Sequence, residues 1–235
     1  MLTLLIILST LFADANTRYA EGNYAEAAEL YEQTISETPA AEVYYNLGNA
    51  RFKQGELAQA ILAYERCLRL NPRMKDARHN LEFARTRIQD NIRDNDNFFL
   101  RKWYLAIRNS LSQSAWATMS VICFLLCLTG LLLFALSREM VIRKTAFYLS
   151  LILLLVAALS FTHAMSLHHR DTAREEAIIT QGIVNAKSSP DRSGTDLFTL
   201  HEGTKVRVRE TLGDWCRIHV GNYDGWIRLS NLERI

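Results

Sequence analysis

No excess of charge marks this chain. Its 27 basic and 25 acidic residues leave a net +2, and the basic residues are not massed on one segment. That excludes the phosphate-binding stripe a nucleic-acid partner would need. The 4 cysteines are not a disulfide framework: Cys123 and Cys127 lie inside an apolar run, while Cys67 and Cys216 stand in separate domains. A stapled secreted domain would show closely paired cysteines in its polar parts. There is also no nucleophile–base pair, paired-carboxylate site, phosphate-cradling glycine loop or cluster of metal ligands in a polar domain. No catalytic residue, metal or cofactor is therefore expected. Of only 3 prolines, two, Pro39 and Pro72, hold equivalent places. Mean hydropathy near zero mixes polar ends with a very apolar middle.

The equivalence of the prolines belongs to a repeat. "EGNYAEAAELYEQTISETP" (Glu21–Pro39) aligns with "QGELAQAILAYERCLRLNP" (Gln54–Pro72), pairing Gly22 with Gly55, Ala27 with Ala60 and Tyr31 with Tyr64, each 33 residues apart. "HNLEFAR" from His79 echoes "YNLGNAR" from Tyr45 at a separation of 34. Periods of this size mark stacked helical hairpins. Gly48 is small enough for a close helix approach, Gly55 supplies the turn and Pro72 ends the unit.

Tyr44, Leu47, Gly48, Ala60, Tyr64 and Pro72 resemble the tetratricopeptide repeat, with Cys67 where that family usually has alanine. About two repeats plus a capping helix are expected over residues 16–95, the first using Asn16–Glu21 as its leading helix. The first helices of such units line a concave groove, with residues at i, i+4 and i+7 facing inward. The expected peptide-binding residues are Tyr45, Asn49, Phe52 and Lys53, joined by Asn16, Tyr19, His79, Phe83 and Arg87. Asn49, Lys53 and Arg87 could hold a peptide carboxylate. The bland alternative is a solvated structural spacer.

Three apolar segments accompany the repeats. "MLTLLIILSTLFADA" ends in Ala13-Asp14-Ala15, a small-x-small pattern, and reads as a signal peptide over residues 1–15, although no Lys or Arg precedes it. It is too short to cross a bilayer, which needs roughly 20 residues. Residues 116–136 and 145–165 are uncharged runs of spanning length, and residues 96–115 read as an aromatic and basic interfacial segment. Arg138, Arg143 and Lys144 mark the joining loop, 137–144, as cytoplasmic; Arg101, Lys102 and Arg108 on the other side argue against that, and the signal-like start decides. Both soluble ends are then periplasmic. Cys123, Cys127 and His163 make a redox or haem site geometrically conceivable, but cysteine also serves as a small apolar residue in such helices.

After a linker at 166–176, residues 177–235 switch to period-two alternation. "KVRVRE" turns Val206 and Val208 inward, "WCRIHV" does so with Cys216, Ile218 and Val220, and Leu212-Gly213-Asp214 makes the turn between them. Several short strands in so few residues suit a small barrel. "HEGTKVRVRE", "GDWCRI" and "GWIRLSNLERI" resemble the bacterial SH3 family. Trp215, Tyr223 and Trp226 are the candidate contact surface, and the absence of a polyproline groove argues against PxxP ligands.

The expected fold class is mainly α: tetratricopeptide hairpins and a transmembrane helix pair, followed by a small all-β SH3-like barrel. That order, with "YYNLGNA", "YERCLRLNP", "RHNLEFAR" and "SSPDRSGTDLFTLHEGTKV", resembles the BatE proteins of the Bacteroides aerotolerance operons. The resemblance implies an inner-membrane protein that docks von Willebrand-type Bat proteins and a MoxR-type ATPase in an envelope stress complex. The leading expectation is a non-enzymatic scaffold in contact with membrane lipid. A peptidoglycan-binding sensor or anchor and a redox or haem protein are the alternatives.

Overall fold

A computed structural model describes residues 2–90, 99–173 and 175–235. The chain divides into two compact units, one made of both chain ends and the other of residues 99–173.

The first unit begins with five helices: α1 (Leu2–Ala20), α2 (Tyr24–Glu37), α3 (Ala41–Gln54), α4 (Leu57–Leu70) and α5 (Lys75–Arg85). Gly22 and Gly55 turn between paired helices at φ 84° and 83°, the left-handed region where a side chain would be strained. Pro72 follows α4 directly after its cap. Gly48 permits the closest helix contact, since a Cβ there would stand 2.5 Å from the Tyr64 ring. Tyr31 and Tyr64 are fully buried at equivalent points of the two hairpins.

The leading helix is longer than the expected Asn16–Glu21. α1 is continuous to Ala20, and Phe12, Ala15 and Tyr19 pack with Ala27, Ala28 and Tyr31. The Ala13-Asp14-Ala15 sequence thus lies within a packed helix, because Ala15 and Phe12 fall on the same apolar face as Tyr19. Met1 and residues 91–95, part of the expected signal and repeat segments, lie outside the described residues.

The same unit ends in seven strands: β1 (Glu176–Ile179), β2 (Ile183–Lys187), β3 (Asp196–His201), β4 (Lys205–Leu212), β5 (Trp215–Val220), β6 (Tyr223–Arg228) and β7 (Leu232–Arg234). They form one antiparallel sheet ordered β3-β2-β6-β5-β4-β1-β7. Val206, Val208, Cys216, Ile218 and Val220 are buried in one core with Ala177, Val184, Leu200 and Ile227. Residues from every part of the sheet reach this core, as they do when a sheet curls to bury one face against itself. Gly213, at φ 56°, takes the turn between β4 and β5.

The second unit holds α6 (Phe99–Arg108), α7 (Gln113–Leu136) and α8 (Met140–Ala173). Ser112 caps α7 by accepting the Ala115 N–H. At about 1.5 Å per residue, both α7 and α8 exceed a hydrocarbon core of about 30 Å. The buried residues described along α8 are Ala146, Ser150, Ala157, Ser160, Ala164 and Leu167, a seam advancing in steps of three, four and seven. Gly130 of α7 abuts Ser150, and Ser120 Oγ donates to the Ala157 carbonyl at 3.0 Å. Expected boundaries shift in two places. The 137–144 loop shrinks to the residues between Leu136 and Met140, and the 166–176 linker is helical as far as Ala173. Of the expected interfacial segment, α6 is a helix with Phe99, Leu100 and Trp103 exposed; residues 96–98 and the side chains of Arg101 and Lys102 lie outside the described residues. Trp116 Nε1 donates to the Arg108 carbonyl at 3.0 Å, and Ile107 and Leu111 pack beside Trp116 and Leu167.

Candidate functional site

One wall of the groove is built by α3. Tyr45, Asn49 and Phe52 share a face because one turn separates each from the next. Tyr45 lies 6.3 Å from the Tyr64 ring, and Phe52 lies 5.8 Å from Phe83 of α5. Arg87, just past α5, stacks over both phenylalanines with its guanidinium 4.9 Å from each ring. This geometry attracts a cation by the ring quadrupole. Lys53, His79 and Phe83 are exposed along the same wall.

The asparagines do different work from the one expected. Asn49 Oδ1 accepts from Tyr64 Oη at 2.8 Å and from Asn80 Nδ2 at 2.8 Å. Asn16 Oδ1 accepts from Tyr31 Oη at 2.7 Å and from Asn46 Nδ2 at 3.0 Å. The two clasps are copies of one another, each tying a first helix to its own second helix and to the next repeat. Burial pushes the Tyr31 hydroxyl up to about 12 and raises that of Tyr64 as well, so both stay protonated donors. With both acceptor positions of its oxygen taken, Asn49 can offer a ligand only its amide N–H groups. Arg87 is stacked on the aromatic pair, so Lys53 and Arg87 are the cations of this wall while the Asn49 oxygen is occupied. Asn46 and Asn80 were missed by groove reasoning. Their separation of 34, alongside Asn16 and Asn49 at 33, was the available signal. At the first repeat, Tyr19 stands edge-on to Tyr24 at 5.2 Å.

The opposite helix faces enclose a second feature. A cleft of about 540 Å³ is floored by Ile35, Leu47 and Leu62 and rimmed by Glu32, Arg51 and Arg66. Arg51 bridges Glu32 and Glu56 at 2.6 Å each, so its charge is already matched.

On the β domain, Trp215 and Trp226 share the outward face of β5 and β6. Trp215 pairs with Arg228 and Trp226 with Arg217, and the Arg228 guanidinium stacks 5.4 Å from the Trp215 ring. Tyr223 does not join them; it pairs with Val220 at the strand end and stacks on Phe198 at 5.6 Å. In the second unit, His163 is flanked by Trp116 at 4.9 Å and Tyr104 at 5.5 Å. Among the described residues, no three His, Cys, Asp or Glu side chains are grouped to hold a metal.

Two family models match the chain. Residues 41–74 match the tetratricopeptide repeat, and residues 183–233 match the bacterial SH3 domain. Both are non-catalytic interaction domains, and between them lie two helices long and apolar enough to cross a membrane. The matched repeat is the α3–α4 hairpin that carries Tyr45, Asn49, Phe52 and Lys53. The matched SH3 segment carries Trp215 and Trp226. The chain therefore combines two protein-interaction modules with a pair of apolar helices.

Proposed function

We propose that this protein is a membrane-tethered adaptor that grips a polypeptide in the groove of its tetratricopeptide repeats. The observation that carries the reading is the open wall of Phe52, Phe83 and Arg87 beside exposed Lys53. Aromatic surface exposed next to fixed cations suits a partner with apolar and acidic side chains. Tethering makes a weak groove sufficient, since confinement at a membrane raises effective concentration. Tyr45 and Asn49 also tie helices together by hydrogen bonds, so the test uses Lys53 and Phe83, both exposed at the wall's edge. Lys53→Glu with Phe83→Ala should abolish partner co-purification from mild detergent while the circular dichroism spectrum stays unchanged. Full retention of the partner would refute the groove.

The two chain ends belong to one compact unit, which supports their sharing a compartment and α7 and α8 crossing the bilayer as a pair. With the signal-like start, that compartment is the periplasm and the membrane the bacterial inner membrane. The BatE resemblance supports von Willebrand-type Bat proteins and a MoxR-type ATPase as the complex served, in aerotolerance or another envelope stress. Cysteine-accessibility labelling that found Lys53 in the cytosol would overturn the orientation.

A second reading is favoured by Trp215 and Trp226 standing among Arg217 and Arg228. Tryptophan faces stack on sugar rings and arginines pair with carboxylates, so this surface suits peptidoglycan. Co-sedimentation of the detergent-solubilised protein with purified cell wall, lost on Trp215→Ala, is the expected result; no sedimentation of the wild-type protein removes this reading.

A further inference from the structure

Strand β1 is buried on both faces, and the two faces belong to different cores. Ala177 and Ile179 enter the β core, whereas Ile178 between them is fully buried among Ala58, Ile61, Leu62, Leu81 and Ala84 of α4 and α5. Ile235 joins the same helical cluster. Gly203, at φ 84°, brings its backbone against Ile61 and Ile88, where a Cβ would stand 3.1 and 3.3 Å away. Only glycine meets both the conformation and the spacing.

Polar contacts ring this apolar patch. The Asp90 carboxylate accepts from the His201 N–H at 2.7 Å and from Thr204 Oγ1 at 2.7 Å, and lies 2.6 Å from His201 Nδ1. Lys205 reaches Glu65 at 3.1 Å, and Arg66 donates to Glu233 at 3.0 Å and to the Arg234 carbonyl at 2.6 Å. Arg69 donates to the main-chain oxygen of Ile235. The Asp90 and Glu65 side chains are each only 11% exposed, so their bonds are matched and largely desolvated, while the Arg66–Glu233 pair lies at the more exposed rim.

In a helical-repeat stack each unit is covered by its neighbour, and a second helix packs on its own first helix, as α2 does on α1 and α4 on α3. Among the described residues α5 has no such following helix; β1, β7 and the turn at Gly203 lie against α4 and α5 instead. We propose that the SH3-like domain is the terminal cap of the repeat stack, taking the place of the third repeat's second helix, so that the two domains form one cooperative body. The cap also fixes one wall of the groove, because Asp90 lies three residues beyond Arg87 and Ile88 sits in the shared cluster. Capping does not depend on what, if anything, the groove binds.

Hydrogen–deuterium exchange of the full-length protein in detergent, without any partner, tests this. Asp90→Ala should speed exchange about tenfold or more in both 77–88 and 201–206, as expected when bonds to a buried carboxylate are lost, and leave α7 unchanged. Acceleration in only one of the two segments, or in neither, would overturn the cap. Should Asp90→Ala unfold the whole body, Arg66→Glu paired with Glu233→Arg decides: the single change accelerates both segments and the exchanged pair restores protection. Failure of the pair to restore protection overturns the proposal as well.

Discussion

The two units of this protein differ in where most of their large apolar side chains lie. In the body of repeats and SH3-like domain, Tyr31, Tyr64, Ile61, Leu200, Ile218 and Ile227 are fully buried. In the α7–α8 hairpin, Leu125, Leu132, Leu155 and Phe161 are each more than half exposed, while Ser150, Ser160, Ala157 and Ala164 are buried. Water drives large apolar groups inward. Lipid gives no such drive, so a helix pair in a bilayer closes on small residues that let backbones approach. The contrast matches the proposal that α7 and α8 lie in a bilayer, because a soluble protein's core helix would bury its leucines.

The sharpest way to break the comparison is to truncate one large residue in each unit. Tyr64→Ala should destabilise the body by about 3–5 kcal/mol, as for other buried aromatic residues. Leu155→Ala should leave the hairpin within about 0.5 kcal/mol in detergent. Thermal unfolding followed by circular dichroism reads both, and a large loss for Leu155→Ala would mean that α8 is buried against water after all. The converse change enlarges a seam residue. Gly130→Leu drives a side chain into Ser150 and should cost about 1–3 kcal/mol by overpacking, seen as a lower detergent melting temperature and easier proteolysis between α7 and α8.

Much of this was legible in the sequence, and the reason differs by element. Turns and faces of repeats and strands depend on neighbours within a few residues, so Gly22, Gly55 and the inward Val206, Val208, Cys216 and Ile218 were readable from spacing alone. The two long apolar helices were readable from composition. What escaped was the contact between domains, because it rests on partners such as Glu65 and Lys205, 140 residues apart, with no local pattern. One trace existed. The run Ala177-Ile178-Ile179 breaks the period-two alternation, and a strand with no polar face is covered on both sides. Helical spacing placed Tyr45, Asn49 and Phe52 on one face of α3, but which asparagine oxygens were already occupied depended on Asn46 and Asn80 in the adjoining repeats.

Polar contacts sharpen the comparison at a smaller scale. Asn49→Ala removes the acceptor of two bonds in the body, leaving the buried Tyr64 hydroxyl unpaired, and should cost about 1–3 kcal/mol. Ser120→Ala removes one interhelical bond in the hairpin, where such bonds average about 0.6 kcal/mol. Chemical denaturation of the body and detergent melting of the hairpin measure the pair. Equal losses would show that the hairpin seam relies on hydrogen bonding as much as the repeats do.

Acid should separate the units as well, with the smallest effect. Burial alone would raise the Asp90 carboxyl, but the bonds from the His201 backbone and side chain and from Thr204 outweigh it and hold it below the usual carboxylate range. A carboxyl depressed in the folded state stabilises it fully above its unfolded value of about 3.9, and that contribution is lost as pH falls through the lower folded value. The seam residues buried in the hairpin carry no charge to titrate in this range. Exchange at 201–206 should therefore accelerate, once corrected for intrinsic rates, only below about pH 4, with the amides of α7 unaffected. Asp90→Asn should flatten the response, since an amide cannot titrate. Loss of protection beginning at pH 6 in the wild-type protein, unchanged by Asp90→Asn, would assign the acid sensitivity to a histidine instead of Asp90.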